Sequence, residues 1–192
     1  YNYEGAVGPI ESFAKSAIGV GMMLIAPEGD GVVRRMPLVI QIDGQLYPSL
    51  SMEILRTAAG DVSYQMKIGQ GGIEALRIPK YKKIMTDANG AVWIDFKWKT
   101  KTYSLNKLTE EELFGGLDFA GKIVILSPTA SGIDNPVATP VGVIESHDLI
   151  AASITTMMTG RNITRPFWSD LAELSATLVA SLILTAAVLT LN

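Results

Sequence analysis

The sequence predicts an α/β fold, a mixed sheet with flanking helices, followed by a C-terminal transmembrane helix. Three observations lead to it. The first is residues 174–192, LSATLVASLILTAAVLTLN, which carry no charge. An uncharged apolar run of about eighteen residues is long enough to cross a bilayer, while a run of about ten to fourteen reads as a core helix. The second is an alternation, along the rest of the chain, of short strand-like runs with stretches of helical period. The third is composition. Of 192 residues 48% are hydrophobic, with 18 glycines and 9 prolines spread through the chain. That is the profile of one turn-rich, ordered domain, large enough to bury a core without staples. There are no cysteines, which excludes disulfides, thiolate chemistry and Cys-based metal sites. A net charge of −3 creates no field toward nucleic acid, so no nucleic-acid partner is expected.

The elements follow in order. Residues 17–25 (AIGVGMMLI) form an apolar run predicted to be a buried strand, closed by the turn formers PEGDG at 27–31. Residues 32–42 read as one long strand. Asp43-Gly44 is the strongest hairpin signal in the chain, with Leu46-Tyr47 returning as a brief strand. Leu50, Ile54 and Ala58 recur at helical spacing, with Ser49 placed to cap that helix and Gly60 to end it. Gly69-Gln70-Gly71-Gly72 reads as a loop and residues 75–78 as a short strand. Residues 91–103 alternate. Val92, Ile94, Phe96 and Trp98 share one face, and Asp95, Lys97, Lys99 and Lys101 the other, as in a half-buried strand.

Thr109 and Glu112 have the spacing of a capping box for a short helix that Gly115-Gly116 stops. Residues 122–126 (KIVIL) read as an apolar strand covered on both faces. A polar loop spans 127–140. Residues 143–158 read as a helix ended by Gly160. Arg165-Pro166-Phe167-Trp168 leads into the tail, with Trp168 where an interfacial aromatic belongs. Thr177, Ser181 and Thr185, like Ala176 and Ala180, recur every four residues, a spacing that lets membrane helices approach closely. The division is a main domain over 1–168 and a membrane helix over 169–192. Tyr1 is not a Met and no export signal precedes it, so the expectation is a piece of a longer protein.

Arg34 and Arg35 are adjacent within a predicted strand, so they point to opposite faces and one must face the covered side. A buried guanidinium needs carboxylate or carbonyl partners, and Asp30 and Asp134 are the candidates. Asp30, Arg34, Arg35, Thr129 and Asp134 form the candidate ligand-binding set, with a structural ion pair as the competing reading. The lone His147 has Glu145 and Asp148 nearby, at neither three- nor four-residue spacing, and reads as structural. Ser127, His147 and Asp134 compose a hydrolase triad on paper, but no nucleophile elbow surrounds any serine. Residues 116–122 imitate a phosphate loop yet precede a strand and lack the metal-binding hydroxyl, Ile123 standing in its place. The lysines at 80, 82, 83, 97, 99 and 101 form basic clusters that read as solvated faces. No catalytic residue, metal or cofactor is expected.

Several segments together resemble one family. They are residues 21–24, PEGDGVVRRMPL at 27–38, Tyr47-Pro48-Ser49-Leu50, GKIVILSPTA at 121–130, Asp134, Thr139-Pro140, and Gly142-Val143 opening a helix that closes near Gly160. Arg165-Pro166-Phe167-Trp168 before an apolar run completes the set. In this order they resemble the CHASE-type extracellular sensor domain of the second type (cyclases and histidine kinases associated sensing extracellular), over most of residues 17–191. Ser127 stands where that family commonly has Gly, and residues 61–103 match less well. The family's opening half, with a first membrane helix, has no counterpart here, so the resemblance covers a C-terminal portion. The resemblance implies a bacterial inner-membrane receptor with its sensor on the extracytoplasmic, periplasmic side. It also implies a cytoplasmic output such as a nucleotide cyclase, histidine kinase, diguanylate cyclase or protein kinase. The expected partners are an unidentified small-molecule or protein signal, the membrane, and a second copy in a homodimer. The alternative is a membrane-anchored hydrolase using the 127–140 loop.

Overall fold

The computed structural model describes residues 1–98, 100–108, 115, 118–130, 132–161, 163 and 168–191. The expected capping box at Thr109 and Glu112, most of the 116–122 glycine segment's start, Lys99 and the Arg165-Pro166-Phe167 lead-in lie outside the described residues. The fold is α/β, with the strands divided among small sheets. β1 (Asn2–Tyr3) runs parallel to β3 (Val39–Ile42), which pairs antiparallel with β4 (Gln45–Pro48), so this sheet is mixed. β2 (Arg35–Pro37) pairs antiparallel with β8 (Ala91–Trp93). β5 (Gln65–Gly69), β6 (Gly72–Arg77) and β7 (Lys83–Met85) form an antiparallel meander. β9 (Val137–Thr139) and β10 (Gly142–Ile144) form a hairpin. The helices are α1 (Glu11–Ser16), α2 (Leu50–Ala58), α3 (Ser146–Thr159) and α4 (Ser169–Leu191).

Local chemistry accounts for most boundaries. Asp43 and Gly44 both take positive φ, 47° and 76°, the backbone a two-residue hairpin turn requires between β3 and β4. Ser49 caps α2, its Oγ accepting from the Met52 N–H at 3.3 Å. Gly160 closes α3 in the left-handed region, φ 70°. The core is built where α2 and α3 meet β2, β6, β7 and β8, around Met36, Leu38, Met52, Leu55, Ile78, Ile84, Val92, Leu149 and Met157. Ser51 and Ser153 share a hydrogen bond at 2.6 Å across the α2–α3 contact, which satisfies both hydroxyls in that core.

Several expected strands change character. Residues 32–42 are two strands in two sheets, not one. The chain turns at Leu38, which is fully buried, donates its N–H to Gly90 O at 2.9 Å and accepts at its carbonyl from Ser49 N at 2.9 Å. Residues 17–25 are extended chain joined to the fold only around Met22, with Ile18 and Met23 exposed, because their backbone partners are single contacts at Pro48 and Leu50. Residues 122–126 form no strand. Ile123 and Ile125 lie against the core while Val124 and Leu126 are exposed, so the segment is half-covered. Only residues 91–93 of the alternating 91–103 run pair in a sheet, although Ile94 stays buried and Phe96 packs on the core. Residues 143 and 144 belong to β10, and α3 starts at Ser146.

α4 is different in kind. Its residues Ser169–Thr190 have a mean hydropathy of 1.9, and none of the apolar window is covered by the rest of the chain. A helix apolar on all sides and uncovered by protein has the length and composition of a membrane span.

Candidate functional site

The charged segment between the 27–31 turn and β2 gathers a cluster of three carboxylates (Glu28, Asp30 and Asp87) and two arginines, centred on Glu28. Arg34 donates forked hydrogen bonds to Asp30 at 3.0 and 2.7 Å and one to Glu28 Oε2 at 2.9 Å. Arg35 donates from Nε to Glu28 Oε1 at 2.9 Å and from Nη1 to Asp87 at 2.9 Å. It also stacks over Trp93, 5.0 Å from the ring centre. Asp87 arrives through register. It shapes the turn into β8 by accepting from Asn89 N at 3.0 Å and Ala91 N at 2.9 Å, and β8 lies beside β2. The Arg34 guanidinium holds the Asp30 carboxyl down to about 2. Each guanidinium spends its fork on carboxylates of the same domain, so this cluster braces the chain around residues 28–35.

Asp134, the other expected partner of the arginines, pairs with neither. The reason is topological: the 127–136 loop carries it to the start of α3. There Ser146 Oγ donates to Asp134 Oδ1. His147 Nδ1 stands 3.8 Å from Asp134 Oδ2, and His147 Nε2 stands 3.8 Å from Asp148 Oδ1. The Asp134 side chain is 6% exposed and that of His147 14%. Asp134 is held below the ordinary carboxylate range by the Ser146 hydroxyl first and then by Glu145. Glu145 is pushed up, by its hydrogen bond to Asp134 first and by burial second. Two neighbouring carboxyls disfavour double ionisation, and the opposite shifts of Asp134 and Glu145 follow from that.

Of the five expected ligand contacts, Asp30, Arg34 and Arg35 therefore come together, Asp134 belongs to the second cluster, and Thr129 is exposed on the loop. Glu28 and Asp87 were missed. Glu28 was legible as the other acid of the PEGDG turn, whereas Asp87 is 52 residues from Arg35 and only strand register joins them. The paper triad resolves into half of itself: Asp134 and His147 meet, but the Ser127 hydroxyl donates weakly to the Pro128 carbonyl at 3.4 Å. The lysines divide as well. Lys80 and Lys82 are tied to main-chain carbonyls of Gly60 and Met158, and Lys97 is exposed.

An open groove of about 410 Å³ lies elsewhere, between β3 and the first residues, lined by Tyr3, Val7, Val20, Met22, Ile40 and Ile42 among others. It holds none of the expected ligand contacts. No group of three or more metal-ligating side chains exists among the described residues.

The profile of the CHASE2 domain matches residues 5–187, which takes in every strand but β1, both clusters and most of α4. No curated protein and no solved structure matches the chain. The chain belongs to the CHASE2 domain family, the extracellular sensor domains of signalling receptors.

Proposed function

We propose that this chain is the extracytoplasmic sensing part of a bacterial inner-membrane receptor. A signal alters the body, or the packing of two copies, and the change passes through α4 to a cytoplasmic output such as a nucleotide cyclase, a histidine kinase or a diguanylate cyclase. The observation that supports this reading most is the pairing, in one CHASE2 chain, of a packed body with a helix whose apolar window is uncovered among the described residues. A signal can move such a helix only by as much as its affinity differs between two states of the body.

A homodimer follows from the same logic, since a single helix transmits a shift best against a second copy. The face bearing Thr177, Ser181 and Thr185 is the proposed contact. The hydroxyls of Thr177 and Thr185 bond back to Glu173 and Ser181 carbonyls at 2.8 Å, which keeps this face small and polar groups satisfied in lipid. The chain has no native cysteine, so single Cys substitutions report cleanly. Cysteines at 177, 181 and 185 should crosslink in membranes, with positions 179 and 183 at background. Equal yields all round α4 would defeat the dimer reading. For the hydrolase alternative, the Ser127 hydroxyl has its contact at the neighbouring Pro128 carbonyl and not at a base.

A further inference from the structure

Within the buried cluster at the start of α3, two polar atoms stand without a hydrogen-bond partner among the described residues. They are Asp134 Oδ2 and His147 Nδ1, and they face each other at 3.8 Å. The Asp134 side chain is 94% buried, the complement of its 6% exposure. An unpaired buried carboxylate oxygen carries a desolvation cost that a donor would remove. Asp134 Oδ1 already accepts from Ser146. The neighbours able to give Oδ2 a donor are the Glu145 carboxyl, when protonated, and the His147 imidazole, which presents Nδ1–H in one of its two neutral tautomers and always as the imidazolium.

The charged groups around this point are Asp134 from the loop, Glu145 at the N-cap of α3, and Asp148 from the first turn of α3. None of the three forms an ion pair with Lys or Arg among the described residues. The imidazole thus stands between two carboxylates, with Asp134 Oδ2 and Asp148 Oδ1 each 3.8 Å from a ring nitrogen. The positive end of the α3 dipole opposes a cation there but favours the carboxylates. Imidazole is the side chain that ordinarily exchanges its proton between about pH 5 and pH 8.

We infer that Asp134, Glu145 and His147 form a proton-binding site, and that the proton taken up as the medium acidifies draws His147 Nδ1 onto Asp134 Oδ2 and tightens the loop against the first turn of α3. The step is a proton transfer from water: the imidazole gains N–H, and the pair becomes imidazolium and carboxylate. Closing 3.8 Å to an ordinary charge-assisted hydrogen bond needs a movement of about 1 Å. α3 is a 14-residue core helix, about 21 Å long, whose far end leads through residues 160–168 to α4. That the proton acts as a signal rests on the sensor reading; the site itself does not.

The chain has one histidine, so its imidazole gives a single assignable resonance. The test is an NMR titration of the full chain in detergent micelles between about pH 8 and pH 5. The amides of Ser146, Asp148 and Leu149 should move with the imidazole signal through one common midpoint. That movement should be lost in His147→Gln, and in Asp134→Asn the amides should cease to follow the imidazole. If Asp134→Asn fails to fold, the wild-type and His147→Gln titrations decide alone. Amides that stay still while the imidazole titrates would overturn the site, as would an unchanged response in His147→Gln. Movement of the same signals on adding zinc chloride at constant pH 7.5, with none from acidification, would assign the cluster to a metal and overturn it too. None of these readouts uses the dimer or an output domain, so their failure leaves the receptor reading untouched.

Discussion

Arg35 shows what a single side chain contributes here. It joins Glu28, Asp87 and Trp93, and its loss leaves Asp87, whose side chain is 17% exposed, without its ion-pair partner. A fully buried pair costs about 3–5 kcal/mol to break, but Arg35 and Glu28 keep 29% and 24% exposure, and water screens what remains. Arg35→Ala should therefore destabilise by about 1–3 kcal/mol, read from urea midpoints at constant m, with Arg35→Lys recovering part of the loss. Acid sensitivity follows from the same carboxylates. The folded chain lowers Glu53 from its ordinary 4.5, chiefly through Arg56 and then Tyr64, and lowers Asp30 from 3.8 to about 2. Groups depressed by folding stabilise above their ordinary value and lose that contribution as pH falls through the folded value. Urea midpoints should thus hold from about pH 7 to 5 and fall from about pH 4.5 toward 2, less steeply in Glu53→Gln.

At the level of elements, glycine and register do the positioning. Gly21 lies where the 17–25 segment crosses the start of α2. A Cβ there would stand 2.5 Å from Leu50 Cα and 2.9 Å from Leu50 N, both backbone atoms that cannot rotate away. Gly21→Ala should separate the Met22–Pro48 and Leu50–Met22 hydrogen bonds and cost about 1–3 kcal/mol, with increased protease cleavage within residues 17–25 as the structural readout. The hairpin at Asp43-Gly44, the α2 cap at Ser49 and the α3 stop at Gly160 were all legible because each is decided within a few residues. The splitting of 32–42 at Leu38 was not. Its cause is hydrogen bonding to Gly90, before β8 and 52 positions away, and to Ser49, at the cap of α2. The half-exposure of residues 122–126 likewise depends on which neighbours reach them.

For the whole molecule, the consequence of an uncovered α4 is separability. Its apolar window buries nothing against the described body, so ending the chain after Trp168 should leave the unfolding free energy of the body within about 0.5 kcal/mol of the full chain's, while abolishing retention in membrane vesicles. A larger loss of stability would mean that α4 supports the body, and the simple picture of an anchored domain would fail.

By itself the sequence determined the α/β class, the membrane-span length and the family, because uncharged length, turn chemistry and the order of short segments are all local along the chain. It also placed the acids and arginines near each other in number. Only the tertiary structure decided their partners. It gave Asp87 to Arg35 and took Asp134 to His147, since ion pairs and buried carboxylates are fixed by distances between elements that no periodicity records.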